Sequence, residues 1–273
     1  MSGAALPYLA ILRARFVLML QYRAAAFAGF ATQCWWGAIK LMTFAAFYAG
    51  AGPQPITLTQ TITYIWLSQA LLALLPWQAD ADIAEAVESG NIAYERLRPV
   101  DTHSFWLARA VAQRAANTVL RLAPMFVLAA VALPLIGQSA WSWRLPATGG
   151  ATALFALSIS LTVMLSAAFT VLLNIAVTAL KTRRASNLAP VLVTPLSGMI
   201  VPLALMPAWS QPILFWQPFA GLCDIPYRIY FGNLTGGAAL AGLCAQLLWI
   251  AAFVVGGRFW LARVMARVDM QGS

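Results

Sequence analysis

Residues 148–180 read TGGATALFALSISLTVMLSAAFTVLLNIAVTAL, a run without one charged side chain, and the basic turn Lys181-Thr-Arg-Arg184 closes it. A helix crossing a bilayer needs roughly 20 predominantly apolar residues, and this stretch exceeds that length. Working outward from it, further apolar runs fall at about 24–49, 56–76, 116–136, 187–206 and 234–261. The composition agrees: of 273 residues, 62% are hydrophobic and 9% charged, with a mean hydropathy of +0.77. A soluble domain carries about 25% charged residues, so this chain could not keep its apolar surface from water. The expected fold is an all-α integral membrane protein, one transmembrane domain over residues 1–273 with six transmembrane helices. Short loops and one longer polar stretch leave no room for a separate catalytic domain.

The net charge of +9 is explained by position rather than by a nucleic-acid partner. Lys and Arg flank the apolar runs, and a nucleic-acid surface needs a solvated basic face. One side collects Arg13, Arg15, Arg23, Arg96, Arg98, Arg109, Arg114, Lys181, Arg183, Arg184, Arg258, Arg263 and Arg267; the other has only Arg144 and Arg228. By the positive-inside rule both termini are expected in the cytoplasm of a bacterial inner membrane. Residues 1–23 read as an interfacial N-terminal helix, not a cleavable signal. Arginines interrupt the apolar stretch, while Leu9, Leu12, Phe16, Met19 and Leu20 fall on one face.

Six of the eight acidic residues lie between positions 80 and 101: Asp80, Asp82, Glu85, Glu88, Glu95 and Asp101. They belong to the polar loop 78–113, expected in the cytoplasm. Residues 80–88 read as a short amphipathic helix with Ile83 and Val87 on one face. Ser89-Gly90-Asn91 stops it, Pro99 breaks the chain again, and Asp101 suits the N-cap of the next helix. Such a helix either docks on a cytoplasmic partner through its apolar stripe or belongs to a solvated hairpin.

Beyond it, Arg109, Gln113, Asn117 and Arg121 repeat every four residues, a polar stripe running into the third span. Arg121 either snorkels to the headgroups or faces the bundle interior. Lys40 is the clear charge within the first span, where it faces a cavity or neighbouring helix, or snorkels. Pro190, Pro195, Pro202 and Pro207 mark the fifth span as a kinked helix packed in the bundle, because the carbonyls they free need partners. Lys40, Pro195 and Pro202 are therefore candidate pathway residues. Trp209, Phe215, Trp216, Phe219, Tyr227, Tyr230 and Phe231 suit an aromatic segment lying at the outer interface or re-entering the membrane.

Several chemistries are excluded. A single histidine, His103, cannot build a His-based metal site or triad. The two lysines, Lys40 and Lys181, follow no Gly-rich phosphate loop, so no Walker motif is present. Leu196-Ser-Gly198 superficially resembles an ATPase signature but lies in a span and does not continue as one. Cys34, Cys223 and Cys244 have no metal or redox spacing. A stand-alone secondary transporter or channel would carry paired intramembrane charges or a selectivity ring, and a membrane enzyme would carry clustered His and carboxylates. The two halves show no inverted repeat, which disfavours the common secondary-transporter plan.

Two stretches carry a family resemblance. Asp82-Ile-Ala-Glu-Ala-Val-Glu-Ser-Gly-Asn-Ile-Ala-Tyr-Glu-Arg-Leu-Arg-Pro99 pairs an acidic helix with Ser-Gly-Asn-Ile and Arg-Pro. Pro195-Leu-Ser-Gly-Met-Ile-Val-Pro-Leu-Ala-Leu-Met-Pro-Ala-Trp209 supplies the second, with Gln217-Pro-Phe219, Pro226 and Gln246 to Trp249 in support. Together they resemble the ABC-2 type (type V exporter-like) permeases, in the subgroup of viologen and daunorubicin-type export systems. The tail Met270-Gln-Gly-Ser273 departs from the Gly-Gly ending frequent there. The resemblance implies an exporter permease with no catalytic residue, cofactor or metal of its own, ATP and Mg being held by separate ATPase subunits. It implies a second permease copy, identical or paired, and contact with membrane lipids. It also implies that Asp82, Ile83, Glu85, Val87, Glu88, Gly90 and Asn91 form the ATPase-coupling helix, with Lys181, Arg183 and Arg184 as a secondary cytoplasmic contact.

Overall fold

A computed structural model describes residues 6–21, 23–92, 100–146 and 148–269. Glu95, Arg96, Arg98, Pro99 and the 270–273 tail lie outside the described residues, as do the side chains of Arg15, Met19, Leu20, Arg23 and Arg267. Helices α1 (Leu6–Gln21), α2 (Arg23–Gly50), α3 (Leu58–Ala70), α4 (Ala81–Glu88), α5 (Thr102–Phe126), α6 (Gly149–Leu180), α7 (Leu188–Leu196), α8 (Gln211–Trp216), α9 (Asp224–Tyr230) and α10 (Gly236–Asp269) follow in order, and no strand occurs among the described residues. Among the described residues, three helical stretches are long and apolar enough to cross a membrane: Thr102–Leu135, Gly149–Leu180 and Gly236–Ala266.

Local chemistry sets the boundaries. Thr57 and Gln60 form a reciprocal capping box at α3, with Gln60 N donating to Thr57 Oγ1 at 3.2 Å and Thr57 N to Gln60 Oε1 at 2.9 Å. Asp101 caps α5 by accepting from Ser104 N at 2.8 Å, and Thr148 caps α6 through Ala151 N at 3.1 Å. Burial works against ionisation of Asp101. The Ser104 hydrogen bonds and the Arg258 guanidinium outweigh it and hold the carboxyl below its ordinary value. Gly90, with φ of +76°, closes the turn after α4. The α5 rod continues through a wide π turn over Val127–Ala132 ahead of Pro134, which has no N–H to give Ala129, its acceptor in that five-residue register. The Ala129 carbonyl accepts instead from Trp143 N at 2.8 Å, folding the 138–146 loop back over the bundle.

Helix α6 runs through the centre, packing against α5, α9 and α10. Leu165, Ala167, Ala168, Val171, Ile175 and Val177 are buried along it. The side chain of Gln246 on α10 locks the pair: its amide donates to Ser158 O, Thr162 Oγ1 and Gly221 O, while its carbonyl accepts from Ser158 Oγ. Helix α1 packs on α5. Its Ile11 turns toward the α4 cluster, and Leu9 is exposed.

Two expected spans are not single helices. In 56–76, α3 has 13 residues, about 20 Å at 1.5 Å per residue, and a separate 3-10 turn follows over Leu72–Leu74. In 187–206, α7 ends at Leu196 rather than kinking onward. Gly198 enters the left-handed region at φ +84°, and Pro202 cannot donate to a continuing helix.

Candidate functional site

Helix α4 is held at the end of the bundle by polar contacts at its start and apolar contacts along its inner face. Asp80 caps it by accepting from Asp82 N at 3.0 Å. The Asp80 backbone N–H donates to Asn174 Oδ1 on α6 at 2.8 Å. Arg109 Nη2 on α5 reaches both Asp80 oxygens, at 3.1 and 3.0 Å, and Asp82 Oδ2 at 2.9 Å. The Arg109 and Asp80 side chains are only 8% and 10% exposed, whereas Asp82 is 57% exposed. One nearly dry ion pair thus fastens α4 to α5, and one carboxamide fastens it to α6.

The inner face consists of Ile83, Ala84 and Val87. They pack in one apolar cluster with Phe105 and Trp106 of α5, Val171 and Ile175 of α6, and Leu261 and Val264 of α10. Ile83, 2% exposed, does not offer a stripe to a partner, which corrects the sequence expectation for Ile83 and Val87. The helix is amphipathic as its pattern indicates, and the chain's own helices cover its apolar face. The outward face carries Asp82, Glu85 and Glu88, all exposed, followed by exposed Gly90 and Asn91. Glu88 meets Arg183 at 3.3 Å, so the 181–184 turn lies beside α4, with Lys181, Arg183 and Arg184 all exposed. Lys181 itself takes φ of 50° as it ends α6.

A second polar constellation surrounds the break after α7. Four consecutive carbonyls lose helical partners, and each finds a donor from elsewhere. Gln217 Nε2 donates to Leu196 O at 2.7 Å, and Asp224 N to Ser197 O at 3.2 Å. Tyr64 Oη donates to Gly198 O at 2.9 Å and Lys40 Nζ to Met199 O at 2.9 Å. Asp224, 1% exposed, also accepts from Leu203 N at 3.2 Å and pairs with Arg228 at 3.4 Å. Lys40 is thereby a carbonyl donor joining α2 to the break. Replacing it with Met is expected to cost about 1–3 kcal/mol by orphaning the Met199 carbonyl. Thermal unfolding of the detergent-solubilised chain measures this, and an unchanged midpoint would show the bond to be dispensable.

Between these two regions opens a cleft of about 700 Å³, lined by the 72–81 segment, α5 and α7. Arg114 lies in its wall with its guanidinium engaged: it donates to Ala73 O and Leu75 O at 3.0 Å each, and to Thr170 Oγ1 at 3.0 Å. Ser166 Oγ bonds Leu74 O beside it. Arg121, half-buried, also lines the cleft. No group of three or more His, Cys, Asp or Glu among the described residues could hold a metal.

Sequence reading brought out α4 and the 181–184 turn but missed Asp80, Arg109 and Asn174 as their fastening, and Tyr64, Gln217 and Asp224 as the supports of the break. Two signals were available. Asn174 is a lone carboxamide in an apolar run, and Asp224 is the one acidic residue between positions 102 and 268.

The chain belongs to the ABC-2 family transporter proteins, whose family pattern matches residues 39–268. It is thus a membrane component of an ABC transporter, of the permease class. No curated protein and no solved structure matches it.

Proposed function

We propose that this chain is the permease subunit of an ATP-driven exporter of the bacterial inner membrane, working as a dimer above separate ATPase subunits that bind ATP and Mg. In this reading the chain crosses the membrane six times. The 28-residue α2, α3 with its following turns, and α7 with the broken segment join the three longer helices. The 207–233 aromatic segment re-enters from the outer side, and both termini are cytoplasmic. The observation that carries the proposal is the exposed acidic face of α4, fixed by Arg109 and Asn174 to two membrane-capable helices and flanked by Arg183. Asp82, Glu85 and Glu88, with the Gly90-Asn91 turn, form the coupling surface, and Lys181, Arg183 and Arg184 its second contact. Closure of the ATPase pair moves α4, and α5 and α6 move with it, alternating the side to which the cavity of the dimer opens.

The test is co-purification of the tagged chain from its native membrane. An ATPase subunit bearing Walker motifs should come down in stoichiometric yield. The double variant Glu85→Lys, Glu88→Lys should lose it while insertion and folding persist, since both side chains are exposed. Ile83→Asp should instead reduce the yield of folded chain, because it puts a charge into a 2% exposed site. Retention of the ATPase by the charge-reversed variant would remove α4 from the coupling role.

A further inference from the structure

The cleft between the 72–81 segment, α5 and α7 has features that the coupling role of α4 does not require. Among the described residues, Arg121 makes no ion pair and no hydrogen bond, and no acidic side chain lines the cleft. Its guanidinium lies against the backbone of α2 at Gly29, where an added Cβ would stand 3.7 Å from Nη2. One and two turns back along α5, Asn117 and Gln113 line the same cleft, also without a side-chain hydrogen-bond partner among the described residues. The indole N–H of Trp77, in the opposite wall, has no acceptor either. Leu72, Leu75, Pro190 and Met199 supply an apolar wall, and Gln78, Thr194 and the already engaged Arg114 complete the lining.

An unpaired guanidinium at membrane depth is costly, and a bound anion offsets that cost with charge-assisted, bidentate hydrogen bonds. Two carboxamides beside it add neutral donors suited to the remaining oxygens of a carboxylate or phosphate. The volume falls in the usual range for a small-molecule site, and the apolar wall suits a hydrocarbon tail. We propose that this cleft is the cargo-loading site and takes an anionic amphiphile, its carboxylate or phosphate head on Arg121, Asn117 and Gln113 and its tail along Leu72 and Met199. The inference rests on the permease reading and adds the chemical class of what is carried. Ala79 and Ala81 lie in the cleft's lining, so loading occurs at the end of the bundle that carries α4.

The experiment uses the full chain with whatever co-purifies, reconstituted in phosphatidylcholine nanodiscs, with dodecyl phosphate as the probe. Inorganic phosphate and dodecyltrimethylammonium serve as comparisons, and Arg121→Gln and Asn117→Leu as variants. Dodecyl phosphate should bind saturably, and Arg121→Gln should weaken it by about ten-fold or more, the loss of one charge-assisted contact. Asn117→Leu should weaken it less while leaving the charge in place, so the test survives if the arginine variant folds poorly. Equal binding of the cationic amphiphile, or unchanged binding in both variants, would overturn the proposal. Inorganic phosphate binding as tightly as dodecyl phosphate would overturn its amphiphile part. Loss of the ATPase from the preparation with dodecyl phosphate binding intact would overturn the permease coupling and leave the anion site standing.

Discussion

Arg109→Met is expected to lower stability by about 3–5 kcal/mol, because it leaves a buried carboxylate without its partner. The side chain removed is 8% exposed and spans Asp80 and Asp82. Asp82, being 57% exposed, falls back on water, whereas Asp80 at 10% exposure does not. The loss therefore concentrates on Asp80. Changing both residues, Asp80→Asn with Arg109→Met, should restore most of the stability, since Asn still caps a helix and carries no charge to strand. Chemical unfolding of the four members of this cycle in one detergent reads the coupling directly. An additive double variant would mean that the two side chains do not act as a pair.

The second large effect is expected at Gly198. A Cβ there would stand 2.5 Å from Tyr64 Oη and 3.2 Å from Leu203 Cγ, on a backbone with φ of +84°. Gly198→Ala must displace the tyrosine that supplies the Gly198 carbonyl with its 2.9 Å hydrogen bond. The left-handed conformation adds about 1–2 kcal/mol, and the orphaned carbonyl about 1–3 kcal/mol. Shortening the opposing side chain with Tyr64→Phe relieves the clash without restoring the bond. The pair should therefore recover only part of the loss when unfolding midpoints are compared. Full recovery would show that crowding alone requires glycine here, and no recovery that backbone strain dominates.

The sequence made legible what depends on local pattern. The apolar runs, the Asp101 cap, the glycine turn after α4 and the need for partners at the proline-rich break all follow from neighbouring residues. What it hid depends on contacts between distant segments. Ile83 and Val87 look alike whether their face meets a partner protein or α5, α6 and α10, and periodicity does not distinguish the two. Lys40 sits 159 positions from the carbonyl it serves, so a charge in a span was legible while its use was not. The fifth apolar run misled for a related reason. Hydropathy counts residues suited to the membrane, whether or not their backbone continues as a helix.

The clamping of α4 also has a mechanical consequence. A short helix on flexible tethers would behave as a spring and dissipate a push in its own displacement. Here the ion pair to Arg109, the Asn174 contact, the Glu88 link to Arg183 and the shared apolar cluster leave it little compliance. It behaves as a keystone wedged between the ends of three long rods. On that geometry, a displacement of α4 is expected to be shared by the ends of all three.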